Sequence, residues 1–174
     1  NVGEPDFALL RVPPQRVQPL ALTTNVARLT EVIAAGFPSL ISGLEASYAE
    51  LLRGNTAAAA NLQPVFTDGR IQAIQPFPSG LQGMPHSAQI SPGSSGGPLV
   101  DGCGRVVGVN TFGRSSREMP ISVSYAQKTD ALVAFLRANS VEVTVLTEAC
   151  APPAPTPAAL PATPAAPAAP ARRW

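Results

Sequence analysis

The chain has 174 residues, with 12 Lys and Arg against 11 Asp and Glu for a net charge of +1, and it is 45% hydrophobic but only 13% charged. Such a balance offers no basic patch for nucleic acid and no acidic tail, and no apolar run approaches the length of a membrane span. The one histidine and two cysteines lack the spacing of a metal site, and no Walker-type loop or Cys-x-x-Cys pair is present, so neither a metal nor another cofactor is expected.

In chain order, Asp6 precedes the apolar run Phe7-Ala8-Leu9-Leu10, which reads as a strand whose entering carboxylate needs partners for its charge. Leu40, Ile41, Leu44, Tyr48, Leu51 and Leu52 then recur at helical spacing, with Gly54-Asn55 as the stop, so a short amphipathic helix followed by an Ala-rich loop is expected. Next comes "SPGSSGGPLVDGCGRVVGVNTF", Ser91 to Phe112: a Gly-rich loop, an apolar strand, a Gly-containing turn and a second apolar strand. Gly/Ser strings occur wherever a chain turns, but one running straight into a hairpin is a rigidly held loop. Its backbone N–H groups can converge on an anion beside Ser95, and Gly93 lets the backbone approach a substrate carbonyl. A serine hydroxyl needs a base, and the base an orienting carboxylate. Cys103 and Cys150 suggest one disulfide in an exported protein, although nothing in their spacing shows that they meet. A helix from Lys128 to Asn139 closes the ordered part, and the tail from Ala151 holds eight prolines and ten alanines in its 24 residues.

The segments "DFALLRV", "VIAAGFP", "VFTDGRIQAIQ", "HSAQISPGSSGGPLVDGCGRVVGVNTFG" and "PISVSYAQKTDALVAFL" resemble, in order and nearly in spacing, the chymotrypsin-like serine proteases, most closely their bacterial Deg/HtrA-type branch. The resemblance covers residues 6 to about 138. It implies an all-β fold, a double β-barrel that is incomplete here: the later part of the first barrel plus the second. Residues 1–150 would form the peptidase domain and 151–174 a disordered Pro/Ala linker or tail.

By position, Ser95 matches the family's nucleophile, the N–H groups of Gly93 and Ser95 its oxyanion hole, and Asp6 its triad aspartate. Gln89 and Ile90, then Thr111 and Phe112, then Pro120, Ile121 and Ser122 match the primary specificity pocket. That pocket contains no acidic residue, so small or medium apolar side chains are expected there in preference to Lys or Arg. The family's catalytic histidine precedes the aspartate, whereas His86, the only one in the sequence, follows it and is expected at the pocket rim or surface. Asn1 opens the chain without an initiator Met or signal peptide, so the expectation is that the strands bearing the histidine lie upstream and that the isolated chain is inactive and marginally stable.

The insertion between Phe37-Pro38 and Val65 departs from the family. Its helix either covers the cleft or patches the outside of the barrel, and the patch is the favoured expectation. Partners are polypeptide substrates, and the tail either tethers a further domain or envelope component or is a dispensable end. The implied activity is peptide-bond hydrolysis in an exported, periplasmic or secreted, setting. The alternative is a protease-like module that binds peptides without catalysis.

Overall fold

The structure is a computed structural model that describes residues 4–13, 16–115 and 122–151. Its strands are β1 (Leu22–Thr23), β2 (Glu31–Gly36), β3 (Val65–Arg70), β4 (Gln75–Pro76), β5 (Gln82–His86), β6 (Pro98–Asp101), β7 (Val106–Ser115), β8 (Ser122–Lys128) and β9 (Val145–Leu146). Three helices join them, α1 (Ser39–Ser42), α2 (Ala46–Leu52) and α3 (Thr129–Ala138), with a 3-10 turn over Thr56–Asn61. The fold is all-β, as expected.

All nine strands belong to one sheet, ordered β3-β2-β6-β7-β8-β5-β4, with β1 parallel to β7 and β9 joined through β1. Neighbours along the main path are antiparallel. Alternation decides which face turns inward: in β2, Val32 and Ala34 are buried while Glu31 and Ile33 are exposed, the period-two pattern of a half-covered strand. The sheet curls around Val32, Ala34, Ile71, Met84, Ala88, Leu99, Val107 and Ala126. A single antiparallel bridge between Ile71, just past β3, and His86 of β5 brings the two arms together. No continuous ladder closes the sheet there, which makes this an incompletely closed barrel. Gly69 permits the close approach at this junction, since a Cβ there would lie 2.1 Å from the Ala88 nitrogen.

Residues 4–13 and 16–20 form no strand, which corrects the expected strand over Phe7–Leu10. Without a neighbouring strand to take its N–H and C=O groups, the segment has no ladder to join. Phe7 packs on Phe135 of α3 at 5.6 Å between ring centroids, while Leu9, Leu10, Val12 and Val17 remain exposed. The insertion also differs from the single helix expected: α1 and α2 are separate. At Gly43 a Cβ would fall 2.3 Å from the Ser39 carbonyl oxygen, and the exposed Leu40, Ile41, Leu44 and Leu52 show that its apolar residues do not patch the barrel. The Ala-rich stretch forms the 3-10 turn, and its Ala58 is the apolar residue of the insertion that is buried. The Pro/Ala tail from residue 152 lies outside the described residues.

The β6–β7 turn is pinned by a buried ion pair. The Arg105 Nε and Nη2 donate to Asp101 Oδ2 at 2.9 and 2.7 Å, and Asp101 Oδ1 accepts from the Cys103 and Arg105 backbone N–H groups, both at 3.0 Å. Arg105 Nη1 donates to the Glu148 carbonyl at 2.7 Å. The Cys103–Cys150 disulfide lies in the same region, with Cα atoms 5.8 Å apart and a sequence separation of 47. Closing a loop of that length stabilises the fold by about 4 kcal/mol in the chain-entropy model. A Cys103→Ser/Cys150→Ser double variant is expected to lose about 2 to 4 kcal/mol in urea titration. Reduction of the unmodified chain should reproduce that loss and leave the variant unaffected.

Candidate active site

The site is built where the loop between β5 and β6 meets β7. Gly93 holds a φ of +98°, and a Cβ there would lie 2.4 Å from the Phe37 carbonyl oxygen, so only glycine fits both the torsion and the space. Ser94 is buried and Ser95 beside it is exposed. Asn110 of β7 holds the far side of the loop: its carbonyl accepts from Gly96 N–H at 2.8 Å and its own N–H donates to the Gly97 carbonyl at 2.9 Å. Its side-chain Nδ2 donates to the Pro98 carbonyl at 3.1 Å.

The β7–β8 register shifts between Asn110 and Phe112, leaving Thr111 as the extra residue of a bulge. Bulges re-aim groups out of the ladder, and here the Thr111 carbonyl accepts from Ser95 Oγ at 2.7 Å. Among the described residues, the N–H groups of Gly93 and Ser95 have no acceptor. A cavity of about 550 Å³ opens beside Ser95, lined among others by Leu40, Ile90, Thr111, Phe112, Arg114 and Ser122. Phe112 is held by stacking on Tyr125 at 4.7 Å.

A family model of the trypsin-like peptidase domain matches residues 1–109. The chain belongs to that family. Among solved structures it is similar in fold to the HtrA-type protease AlgW with decapeptide, at TM-score 0.52 and 22% identity, covering 72% of this chain and 34% of that one. It is similar also to AlgW with tripeptide, at TM-score 0.54 and 22% identity, covering 76% of this chain and 38% of that one. The peptidase-family chain thus spans little more than a third of the length of these structures. No curated protein sequence matches it.

Of the pocket residues expected from sequence, Ile90, Thr111, Phe112 and Ser122 line the one cavity with Ser95. Gln89 sits at its edge, its Oε1 accepting from Ser122 Oγ at 3.2 Å. Pro120 and Ile121 lie outside the described residues. Asp6 does not line the cavity. It is exposed, its backbone N–H donates to Gln127 Oε1 at 3.4 Å, and its carboxylate has no partner among the described residues. Leu40, Ser91, Pro92, Gly113, Arg114 and Ser115 also line the cavity and were not among the residues expected there. Arg114 was legible by alternation, two residues beyond Phe112 on the same face of β7; Leu40, in the insertion, carried no such signal.

His86 is neither on the rim nor at the surface. It is 1% exposed, inward-facing on β5, and neither ring nitrogen makes a hydrogen bond. Burial pushes its pKa from 6.5 down to about 4, with the Ala88 backbone and the Asn110 side chain offsetting only part of that effect. The ring is therefore a neutral core residue at pH 7. Because the folded state resists the proton that the unfolded state accepts, this group's contribution to stability is constant above about pH 6.5 and falls as the pH drops toward 4. The loss amounts to about 3 kcal/mol from this group. Urea titrations from pH 7 to pH 4 should show this fall, and a His86→Leu variant should be flatter over the same window by about that amount.

Proposed function

We propose that this chain carries the nucleophile, the oxyanion hole and the primary pocket of a serine endopeptidase, working by acyl transfer. The observation that carries the reading is Ser95 exposed beside the cavity, with the Gly93 and Ser95 N–H groups left without an acceptor. Ser95 Oγ attacks the scissile carbonyl, and the two N–H groups stabilise the oxyanion that forms. The proton goes to a histidine outside these 174 residues, because His86, the only one in the sequence, is buried and neutral. Asp6 then orients that histidine and stabilises its cation, in keeping with its free carboxylate. The disulfide supports an oxidising, exported setting, and among the described residues no helix is long and apolar enough to cross a membrane.

A second reading, a peptide-binding module without catalysis, is favoured by one observation: the described partner of Ser95 Oγ is a carbonyl and not a base. Chemical rescue separates the two. The isolated chain should hydrolyse activated esters near the background rate, and added imidazole, standing in for the absent base, should accelerate that hydrolysis. Ser95→Ala should abolish the rescued rate and Gly93→Ala should lower it by about 10²-fold or more. No rescue, together with retained peptide binding, would establish the module instead.

Specificity follows from the cavity lining, which contains no carboxylate among the described residues and does contain Arg114. A basic side chain would enter unpaired and beside a like charge. In imidazole-rescued assays, N-acyl valine and leucine nitrophenyl esters should react faster than the lysine ester. A faster lysine ester would show that this cavity is not the primary pocket.

A further inference from the structure

The insertion after β2 brings an uncharged segment, Phe37 to Leu44, against the cleft. Its Phe37, Leu40, Ile41 and Leu44 are 41%, 75%, 51% and 90% exposed, an apolar concentration that marks contact surface more often than solvated surface. The segment is tied to the Ser95 loop: Ser39 N–H donates to the Pro92 carbonyl at 2.8 Å, and the Phe37 carbonyl occupies the space that a Cβ of residue 93 would need. Leu40 is thereby held as a wall of the cavity.

Arg114 lines the same cavity. It belongs to β7, three residues beyond Thr111, whose carbonyl accepts from Ser95 Oγ. Arg114 is exposed and, like Arg11, Arg16, Arg28 and Arg137, has no ionic partner among the described residues; of these five, Arg114 lines the cavity beside Ser95. Leu40 is tied to the loop ahead of Ser95 and Arg114 belongs to the strand whose Thr111 carbonyl receives the Ser95 hydroxyl, so a chain lying across Ser95 meets both an apolar wall and an unpaired cation in this cavity.

We propose that the Ser95 cleft selects peptides carrying an apolar side chain and an acidic side chain on the flanks of the residue held at Ser95, with Leu40 and Arg114 as the specificity-determining residues. The inference rests on the reading of this cleft as a peptide site. It follows from the insertion and from one charge, independently of whether Ser95 reacts.

The test is binding of fluorescein-labelled decapeptide pools to the isolated chain, followed by anisotropy. Each pool has a central Val and flanks randomised between two residues: Glu and Leu, Lys and Leu, or Glu and Ser. The Glu/Leu pool should bind about 5-fold tighter than either other pool, which corresponds to about 1 kcal/mol, from the ion pair against Lys/Leu and from apolar burial against Glu/Ser. Leu40→Ser should erase the advantage over Glu/Ser alone, and Arg114→Glu should invert the preference between Glu/Leu and Lys/Leu. Leu52→Ser, exposed on α2 outside the cavity, should change nothing. Equal binding of the three pools, absence of binding, or discrimination that survives both substitutions would overturn the proposal. Equal binding alongside intact imidazole rescue would sink this inference alone, whereas retained discrimination without rescue would sink only the catalytic reading.

Discussion

The loop that carries Ser95 is suspended from Asn110. The backbone N–H and carbonyl of that residue bond Gly97 and Gly96, and its side chain bonds Pro98 at the start of β6, so three successive residues take their positions from one residue of β7. Asn110 can do this because it precedes the bulge at Thr111, where the ladder to β8 slips by one. A regular strand would commit the Thr111 carbonyl to its neighbour; the bulge frees it to meet Ser95 Oγ. The geometry of the cleft is therefore a property of the β6–β7 hairpin more than of the Gly/Ser loop itself.

At its other end the same hairpin is held by the Asp101–Arg105 pair. Buried ions are expensive unless every lone pair and proton is matched, and here both Asp101 oxygens and the Arg105 backbone and side chain all have partners. Removing either partner would strand a buried charge at a cost of about 3 to 5 kcal/mol. The bond from Arg105 to the Glu148 carbonyl and the nearby disulfide tie the C-terminal segment to this turn. The hairpin is thus fixed at the turn by charge and covalency, and at the open end by the Asn110 bonds.

Between these anchors the interior includes the one histidine. His86 and the Asn110 side chain are both buried, and the two imidazole nitrogens and Asn110 Oδ1 find no hydrogen bond. Unsatisfied polar atoms are tolerated in a core only at a cost. Burial itself, by desolvating the charged form, depresses the imidazole pKa and keeps the ring uncharged. The N-terminal segment shows the opposite problem, with Leu9, Leu10, Val12 and Val17 exposed because no strand lies beside them.

By itself, the sequence determined the loop-then-hairpin around Ser95 and the closing helix, through turn residues at fixed offsets and periodic apolar positions, while its run of family-like segments implied the all-β class and four residues of the cavity lining, Ile90, Thr111, Phe112 and Ser122. Only the tertiary structure decided the rest. Whether Phe7–Leu10 forms a strand depends on a partner strand, which no local pattern reports. His86 is polar in composition but buried by register, since β5 pairs with β8 and brings residue 86 opposite Ser124. The pairing of Cys103 with Cys150, the break of the insertion into two helices at Gly43, and the arrival of Leu40 beside Ser95 all join residues far apart in the chain or turn on a close backbone contact. Spacing along the sequence encodes which face a side chain takes within an element; it does not encode what the folded chain brings against that face.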